Sequence, residues 1–171
     1  MSLRPTIDDV RALGHLQTTY DWGIQFFNLP SVLTGFTSAE LNTRCSTASL
    51  PSRKFDEIPI PLRGHKAMQH GIVDYGNHID LTLYETTDSK VQDFLAAYAN
   101  MQWTPITGSQ MPKTLTQCCF LLTLLDSENN PTFQYTIVGA WLQSYQPSGG
   151  LQSGSSDLLT FNCTFTFDYF I

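Results

Sequence analysis

The 171 residues are enough for one domain with a hydrophobic core, and 42% of them are hydrophobic. Only 14% are charged, whereas globular chains usually carry about 25%. The net charge is −6, with two lysines against nine acids in residues 67–171, which argues against a basic footprint for gripping DNA. A run of about 18 apolar residues, which a membrane span needs, is also missing from the sequence. So little charge favours a chain that buries surface against copies of itself.

We expect residues 1–19 to form an N-terminal arm and residues 20–171 to form a single β domain. Within the arm, residues 5–16 have short helical spacing and are a candidate subunit interface. Residues 20–27 are dense in aromatic side chains and predict the first strand, and residues 41–46 predict a second.

Residues 55–60 are extended, with Pro59 and Pro61 at alternate positions. Because proline cannot donate to a strand ladder, this segment predicts an edge strand or a projecting hairpin. Such a hairpin has unpaired backbone groups that a neighbouring subunit could pair. The candidate interface residues here are Phe55, Glu57, Ile58, Ile60, Arg63, His65 and Lys66.

Residues 78–85 alternate between apolar and polar side chains and predict a strand. Asp88 is predicted to cap a helix that runs to about Met101, the one helix that the sequence predicts to pack against the sheet. Residues 117–126 predict a strongly apolar strand.

Residues 132–145 and 157–171 predict a long strand pair around a loop at residues 146–156. In the second strand one predicted face is apolar, with Leu159, Phe161, Cys163, Phe165, Phe167 and Tyr169. The other face carries Thr160, Asn162, Thr164, Thr166 and Asp168. The apolar face must be buried against the rest of the domain, and the polar face must be exposed to solvent. The predicted fold is therefore a β-sandwich or partly rolled β-barrel with one packed helix.

Several short motifs follow one another in a characteristic order. They are Cys45, Leu50-Pro51, Glu57-Ile58-Pro59-Ile60, Gly64 with Lys66, the helix, Val138-Gly139-Ala140-Trp141 and Phe167-Asp168-Tyr169. In this order the chain resembles the tail tube proteins of contractile-tailed bacteriophages, over roughly residues 20–171. The related haemolysin-coregulated tube of type VI secretion and the tube-initiating baseplate ring share that fold.

The resemblance implies a structural virion protein. Six copies form a ring, their sheets join into a continuous barrel, and stacked rings form a tube that conducts DNA into the host. It also implies contacts with tail sheath, baseplate and tape-measure proteins, a place in the virion tail and assembly in the host cytoplasm. The candidate channel-facing residues are Asp80, Thr82, Thr160, Asn162, Thr164 and Thr166. A neutral, short-chained lining suits a polyanion that must pass without binding.

Catalytic and metal sites are weakly supported. His65, His70 and His78 do not have the spacing of a metal-ligand set, and Asp74, Asp80 and Asp168 have no partner base. We therefore expect no enzyme activity, no metal and no cofactor. The four cysteines, Cys45, Cys118, Cys119 and Cys163, are predicted to be reduced core or interface residues.

Two alternatives stay open. The chain could form a baseplate tube-initiator ring or a secretion tube of the same fold. From a different class, it could be a monomeric carbohydrate-binding β-sandwich with Trp22, Trp103 and Trp141 as binding platforms.

Overall fold

The computed structural model describes residues 7, 12, 17–33, 35, 37–148 and 157–171. The helices described are α1 (Ser38–Arg44), α2 (Lys90–Gln102) and α3 (Lys113–Thr116). The strands are β1 (Trp22–Phe27), β2 (Cys45–Ala48), β3 (Lys54–Leu62), β4 (His65–Asp74), β5 (His78–Tyr84), β6 (Trp103–Thr104), β7 (Ser109–Gln110), β8 (Cys118–Leu125), β9 (Pro131–Ser148), β10 (Thr160–Thr166) and β11 (Tyr169–Phe170).

The main sheet has the strand order β1-β8-β9-β10-β5-β2, and β11 pairs with β9 at the side. The long strand β9 pairs with β8 up to Ala140 and with β10 from Trp141 onwards. We call β1, β8, β11 and β9 up to Ala140 half-sheet I, and β2, β5, β10 and β9 from Trp141 half-sheet II. All neighbouring strands are antiparallel.

The two half-sheets face each other across one hydrophobic core. The ring of Phe165 on β10 lies 6.2 Å from that of Phe26 on β1 and 5.9 Å from that of Phe120 on β8. Helix α2 completes the core, because Tyr98 packs edge-on to Phe165 at 6.1 Å. The mainly β, sandwich-like fold is thus confirmed, and the half-sheets of one chain do not close into a barrel.

The predicted strand at residues 41–46 is wrong in its first part, which forms α1. Thr37 accepts from the backbone of Glu40, and the Glu40 carboxylate accepts from the Thr37 N–H, so a capping box starts this helix. Its side chains cover the edge of β1: the Ile24 N–H donates to Asn42 Oδ1 at 2.9 Å, and the Phe26 N–H donates to Ser38 Oγ at 2.8 Å. Cross-chain pairing at that edge is thereby blocked.

Helix α2 begins near the predicted position, but its start differs from the prediction. Ser89, rather than Asp88, holds the N-cap position, with a left-handed backbone and no side-chain capping bond. The carboxylate of Glu85 accepts from the N–H groups of Val91 (3.2 Å) and Gln92 (2.7 Å). Glu85, which directly follows β5, therefore accepts hydrogen bonds from the otherwise unpaired N–H groups in the first turn of the helix.

In the last strand pair, β9 is longer than its predicted strand and β10 is shorter than its predicted strand. The predicted loop at residues 146–156 begins later, since β9 continues to Ser148, and residues 149–156 lie outside the described part of the chain. The chain turns at Phe167–Asp168, so Tyr169 is exposed and Phe170 is buried in its place. Leu159, which precedes β10, is also exposed rather than on the buried face.

Most of the predicted arm lies outside the described residues, including nearly all of the candidate interface at residues 5–16. At its end, the Gln17 side chain joins the sheet: Nε2 donates to the Leu125 carbonyl at 2.6 Å, and Oε1 accepts from Thr132 Oγ1 at 3.2 Å. The division into an arm and a β domain stays a prediction.

Candidate functional site

Half-sheet II turns a polar face away from the core. Strands β5 and β10 are adjacent in register, with Asp80 opposite Thr164 and Thr82 opposite Asn162. The inward neighbours Ile79, Leu81, Leu83, Phe161, Cys163 and Phe165 are all buried. All six residues predicted to face a channel therefore lie on this one face. We call it the polar face and define it by Thr47, His78, Asp80, Thr82, Tyr84, Trp141, Gln143, Ser144, Gln146, Ser148, Thr160, Asn162, Thr164 and Thr166.

The side chains of the polar face bond to one another across the strands. Thr82 Oγ1 donates to Asn162 Oδ1 at 3.1 Å, and Thr164 Oγ1 donates to Asp80 Oδ1 at 2.6 Å. Thr166 Oγ1 donates to Gln143 Oε1 at 3.0 Å. Because these side chains hydrogen-bond to one another, the polar face presents few unsatisfied donors to a passing ligand.

Charge on the polar face is sparse. Among its defined residues Asp80 is the one carboxylic acid, and neither lysine nor arginine is included. A phosphate-binding surface needs lysine or arginine side chains, so this face is unsuited to holding a nucleic acid in place. It is suited to forming a smooth wall.

Sequence reasoning missed the contribution of two further strands to this face. Ser144 and Gln146 of β9 lie opposite Thr164 and Asn162, and Thr47 of β2 lies opposite Thr82. The alternation within residues 132–148 is a signal for the first pair, although a register shift at Thr164/Phe165 obscures it. Thr47 has no such signal, because β2 is only four residues long and directly follows α1, so an alternating pattern cannot be recognised there.

Strands β3 and β4 form a separate two-stranded hairpin, as the alternating prolines predicted. All nine residues of β3 are exposed. Ile58, Ile60 and Leu62 lie on one side, and Glu57, Pro59 and Pro61 on the other. The hairpin thus has an apolar face, which we define as Ile58, Ile60, Leu62 and Ala67, and Asp56, His65 and Gln69 border it on the same side.

The seven candidate interface residues are divided between the two faces and the tip. Ile58 and Ile60 belong to the apolar face of the hairpin, whereas Phe55, Glu57 and Lys66 lie on the opposite side. Arg63 lies in the turn between the strands, and His65 starts β4. The role of these residues as an interface stays a prediction.

The base of the hairpin is fixed to half-sheet I. The guanidinium of Arg53 lies 5.3 Å above the ring of Tyr75 and 5.1 Å above that of Phe170. Its Nη2 also donates to the Phe170 carbonyl at 3.4 Å. Such cation–π contacts hold the direction in which the hairpin leaves the domain.

The histidines and aspartates considered above are not brought together as a site. His65 and His70 lie on opposite faces of β4, and His78 lies 3.3 Å from Thr166 through its Nδ1 atom. Asp168 pairs with Lys113, whereas Asp80 bonds to Thr164. Over the described part of the chain, three or more His, Cys, Asp or Glu side chains nowhere gather as a metal site would require.

The three tryptophans do not form a shared platform. Trp103 and Trp141 line one cavity of about 260 Å³ together with Lys113 and Gln110. Trp22 lines a different cavity of about 230 Å³ next to Leu50.

The four cysteines are free thiols, and Cys118 and Cys163 are buried. Burial raises the pKa of Cys45, Cys118 and Cys163 to about 12 in each case. These three side chains are therefore neutral thiols near pH 7 and poor nucleophiles. Helices long and apolar enough to cross a bilayer are absent from the described residues.

No protein-family model matches the chain, and no curated protein gives a significant match. Solved structures of contractile injection systems do match it. A chain of the anti-feeding prophage baseplate, solved with six-fold symmetrisation, has a TM-score of 0.65 and 14% identity, covering 92% of this chain and 95% of that one. A chain of the anti-feeding prophage tube-terminating cap has a TM-score of 0.66 and 12% identity, covering 92% and 90%.

A third match comes from the sheath–tube complex of an extracellular contractile injection system, PVC, in its extended state. Its TM-score is 0.64 at 12% identity, and it covers 98% of this chain and 97% of that one. The chain therefore shares the fold of contractile injection system subunits over nearly its whole length. The resemblance inferred from the sequence is confirmed at the level of the fold.

Proposed function

We propose that this chain is a ring subunit of the tail tube of a contractile phage or phage-like particle. Six copies join side by side around a channel, the rings stack, and the tube conducts DNA into the host cell. The observation that carries the proposal is the polar face, a four-strand wall poor in charge on a chain that shares its fold with injection-system subunits.

The edges of half-sheet II support closure between copies. Strand β2 ends the strand order, and β9 from Trp141 onwards pairs with β10 on one side only, as far as the described residues extend. Two open edges on one half-sheet are a liability that a closed barrel removes. The edge of β1 in half-sheet I is covered by α1 instead, which leaves half-sheet II as the part available for joining.

The dimensions of such a barrel suit a DNA duplex. Six copies of four strands make about 24 strands, and at about 4.8 Å per strand the circumference is roughly 115 Å, a diameter of about 37 Å before strand tilt widens it. The polar face, with Asp80 as its acid, would line this channel. A polyanion meets weak repulsion there and no lysine or arginine on which to stall.

A tube subunit of this kind belongs in the virion tail and would be assembled in the host cytoplasm. Its expected partners are other copies of itself, the sheath around the tube, the baseplate below it and a tape-measure protein within it. The match to a sheath–tube complex supports the sheath as a partner, and the match to a six-fold symmetrised baseplate supports the hexamer.

A ring at one end of the tube is a second candidate. The matches to the baseplate and to the tube-terminating cap are as good as the match to the sheath–tube complex, with TM-scores of 0.65, 0.66 and 0.64. A secretion tube of the same fold, with a cargo other than DNA, differs only in what passes through the channel.

The test is sedimentation and negative-stain electron microscopy of the purified chain over a range of protein and salt concentrations. We expect hollow rings, and their growth into long tubes would identify the repeating tube subunit. Rings that never stack would favour the end-of-tube ring. Monomers under all conditions, with tryptophan fluorescence that a glycan quenches, would contradict the proposal and favour the carbohydrate-binding module.

A further inference from the structure

A cavity of about 260 Å³ lies where α2 ends and where β9 passes between the two half-sheets. Two indole rings, those of Trp103 and Trp141, line it, and we call it the indole cavity. Its other lining residues are Gln102, Gln110, Met111, Lys113 and Thr116. A concave surface that combines aromatic rings with a few polar groups is typical of a site for a small molecule.

Backbone hydrogen bonds hold the walls of the indole cavity in place. Trp103 of β6 pairs with Gln110 of β7. The Met111 N–H donates to the carbonyl of Gln102, the last residue of α2, at 3.3 Å. The segment that carries Trp103 is therefore fixed to the end of a helix that packs on the core. A ligand meets walls whose backbone is already ordered, which lowers the entropy cost of binding.

The polar groups of the indole cavity are open to a ligand. Among the described residues, the side-chain amides of Gln102 and Gln110 and the N–H groups of the two indoles have no hydrogen-bond partner. Trp103 is 52% exposed, so a ligand can reach its ring from solvent. A purely apolar ligand would remove water from these donors without replacing it, whereas a ligand with hydroxyl groups would pair with them.

The charges at the indole cavity favour a neutral ligand. Among the described residues that line it, Lys113 is the one that carries a charge, and Asp168 neutralises it in an ion pair. The Asp168 carboxylate repels a phosphate or carboxylate that approaches Lys113, and Lys113 repels an organic cation. Nucleotides, other anions and quaternary ammonium compounds are therefore disfavoured.

We propose that the indole cavity binds one neutral hexopyranose ring, as a free sugar or as a unit of a glycan. The apolar C–H face of such a ring stacks on an indole, and its hydroxyl groups exchange hydrogen bonds with the amides of Gln102 and Gln110. Drug-sized ligands occupy cavities of about 300–1,000 Å³, so a volume of about 260 Å³ suits a smaller ligand with a single ring. This binding activity goes beyond the proposed tube and does not depend on ring assembly.

Titration of the purified chain with methyl β-glucoside, methyl β-galactoside and N-acetylglucosamine tests the proposal. Tryptophan fluorescence and saturation-transfer NMR report the binding. We expect saturable binding of at least one of these sugars, with a dissociation constant in the millimolar range because the ligand is so small. Adenosine 5′-monophosphate should not displace it. No saturable binding of any of the three sugars, or displacement by the nucleotide, would overturn the proposal.

Two variants and a control locate the binding site. Trp103→Ala removes one stacking surface and should weaken binding at least tenfold, while its exposed position leaves the fold intact. Gln110→Ala, at another exposed position, should weaken binding at least threefold. The matched control is Trp22→Phe, which replaces the indole of a different cavity and should bind the sugar as the wild type does. Wild-type affinity of Trp103→Ala would show that the sugar does not bind in the indole cavity.

Sedimentation of the same samples separates this inference from the proposed function. Rings that bind the sugar support both, and rings that do not bind it overturn the sugar site alone. Monomers that bind the sugar support the site and contradict the tube. A tetrasaccharide of the bound sugar then distinguishes the two sources, because it binds at least as tightly as the monosaccharide where the site accepts a unit of a glycan.

Discussion

Gly139 and Asp168 show why two short motifs of the sequence occur together. Gly139 has a positive φ of 69°, and the carboxylate of Asp168 occupies the space that a Cβ atom at this position would need. The Asp168 N–H donates to the Val138 carbonyl at 3.0 Å, and its carboxylate pairs with Lys113. The motifs Val138-Gly139-Ala140-Trp141 and Phe167-Asp168-Tyr169 therefore form one contact between β9 and the end of β10. Their distance in the sequence hid this contact.

Gly139→Ala should destabilise the fold. The added Cβ atom would lie 2.9 Å from Asp168 Cγ, which is closer than van der Waals contact allows. The alanine would also have to keep the left-handed backbone of Gly139, which alanine disfavours. We expect a loss of about 3 kcal/mol in the free energy of unfolding, measured by denaturant titration. The control is Gly64→Ala, where φ is 86° and nothing lies within 4 Å of the added Cβ, so the loss should be about 1 kcal/mol. Equal losses at the two positions would contradict the role of Asp168.

Glu40 and Lys90 join α1 to α2 across the surface. Lys90 Nζ lies 2.8 Å from Glu40 Oε1, and this hydrogen bond, helped by Thr37, lowers the pKa of Glu40 from 4.5 to about 2. A lowered carboxylate pKa stabilises the fold above the unfolded value and loses that effect as the pH falls. The contribution of this pair is therefore complete above about pH 4.5 and disappears towards pH 2.

Glu40→Gln should lower the melting temperature at pH 6, and the difference from the wild type should shrink as the pH approaches 2. Thermal unfolding at several pH values measures this. Glu128→Gln, in the turn between β8 and β9, is the control and should have little effect at pH 6. A difference at Glu40 that stays constant down to pH 2 would contradict the assigned ion pair.

Among the elements, those with a clear alternation or helical stripe were predictable from the sequence. Strands β5, β8 and β10 and helix α2 lie within a few residues of their predictions. Helix α1 was missed although Thr37 and Glu40 carry the spacing of a capping box, because the residues after it continue directly into β2. The cap from Glu85 to α2 depends on a turn whose backbone the sequence does not specify.

The hairpin should be necessary for assembly and dispensable for folding. Its two strands pair only with each other in the described structure, so replacing residues 57–70 by a short turn leaves the main sheet intact. We expect a melting temperature close to that of the wild type and monomers in sedimentation. Rings of normal size from this variant would show that the hairpin is not an assembly element.

Lysine substitutions on the polar face should leave folding unchanged but should slow the passage of DNA through the channel. Thr164→Lys with Thr166→Lys adds two cations to the outward side of β10, so the core beneath is unchanged. Assembled particles should retain DNA during ejection, in a manner that weakens at high salt. Gln25→Lys with Gln134→Lys, both exposed on the outward face of half-sheet I, is the matched control. Normal ejection from the Thr variant would mean that the polar face is not the channel wall.

At the scale of the whole molecule, the fold class and the polar residues of β5 and β10 were predictable from the sequence, whereas the surroundings of its exposed apolar side chains were not. A sequence pattern reports which side of a strand is buried within one chain. It cannot distinguish an exposed apolar side chain such as Leu62 or Leu115 that meets water from one that meets a neighbour. The cavity lined by Met101, Met111 and Leu115 depends on how α2, α3 and the segment between them are placed relative to one another.

The central claim is that the polar face of half-sheet II lines a channel through a ring of copies. Cryo-electron microscopy of the assembled chain, at a resolution that separates strands, tests it most directly. The account predicts a six-fold ring whose inner wall consists of β9, β10, β5 and β2 from every copy, with Thr164 and Asn162 pointing into the channel. A channel lined by the outward face of half-sheet I, or a particle with no channel, would contradict it.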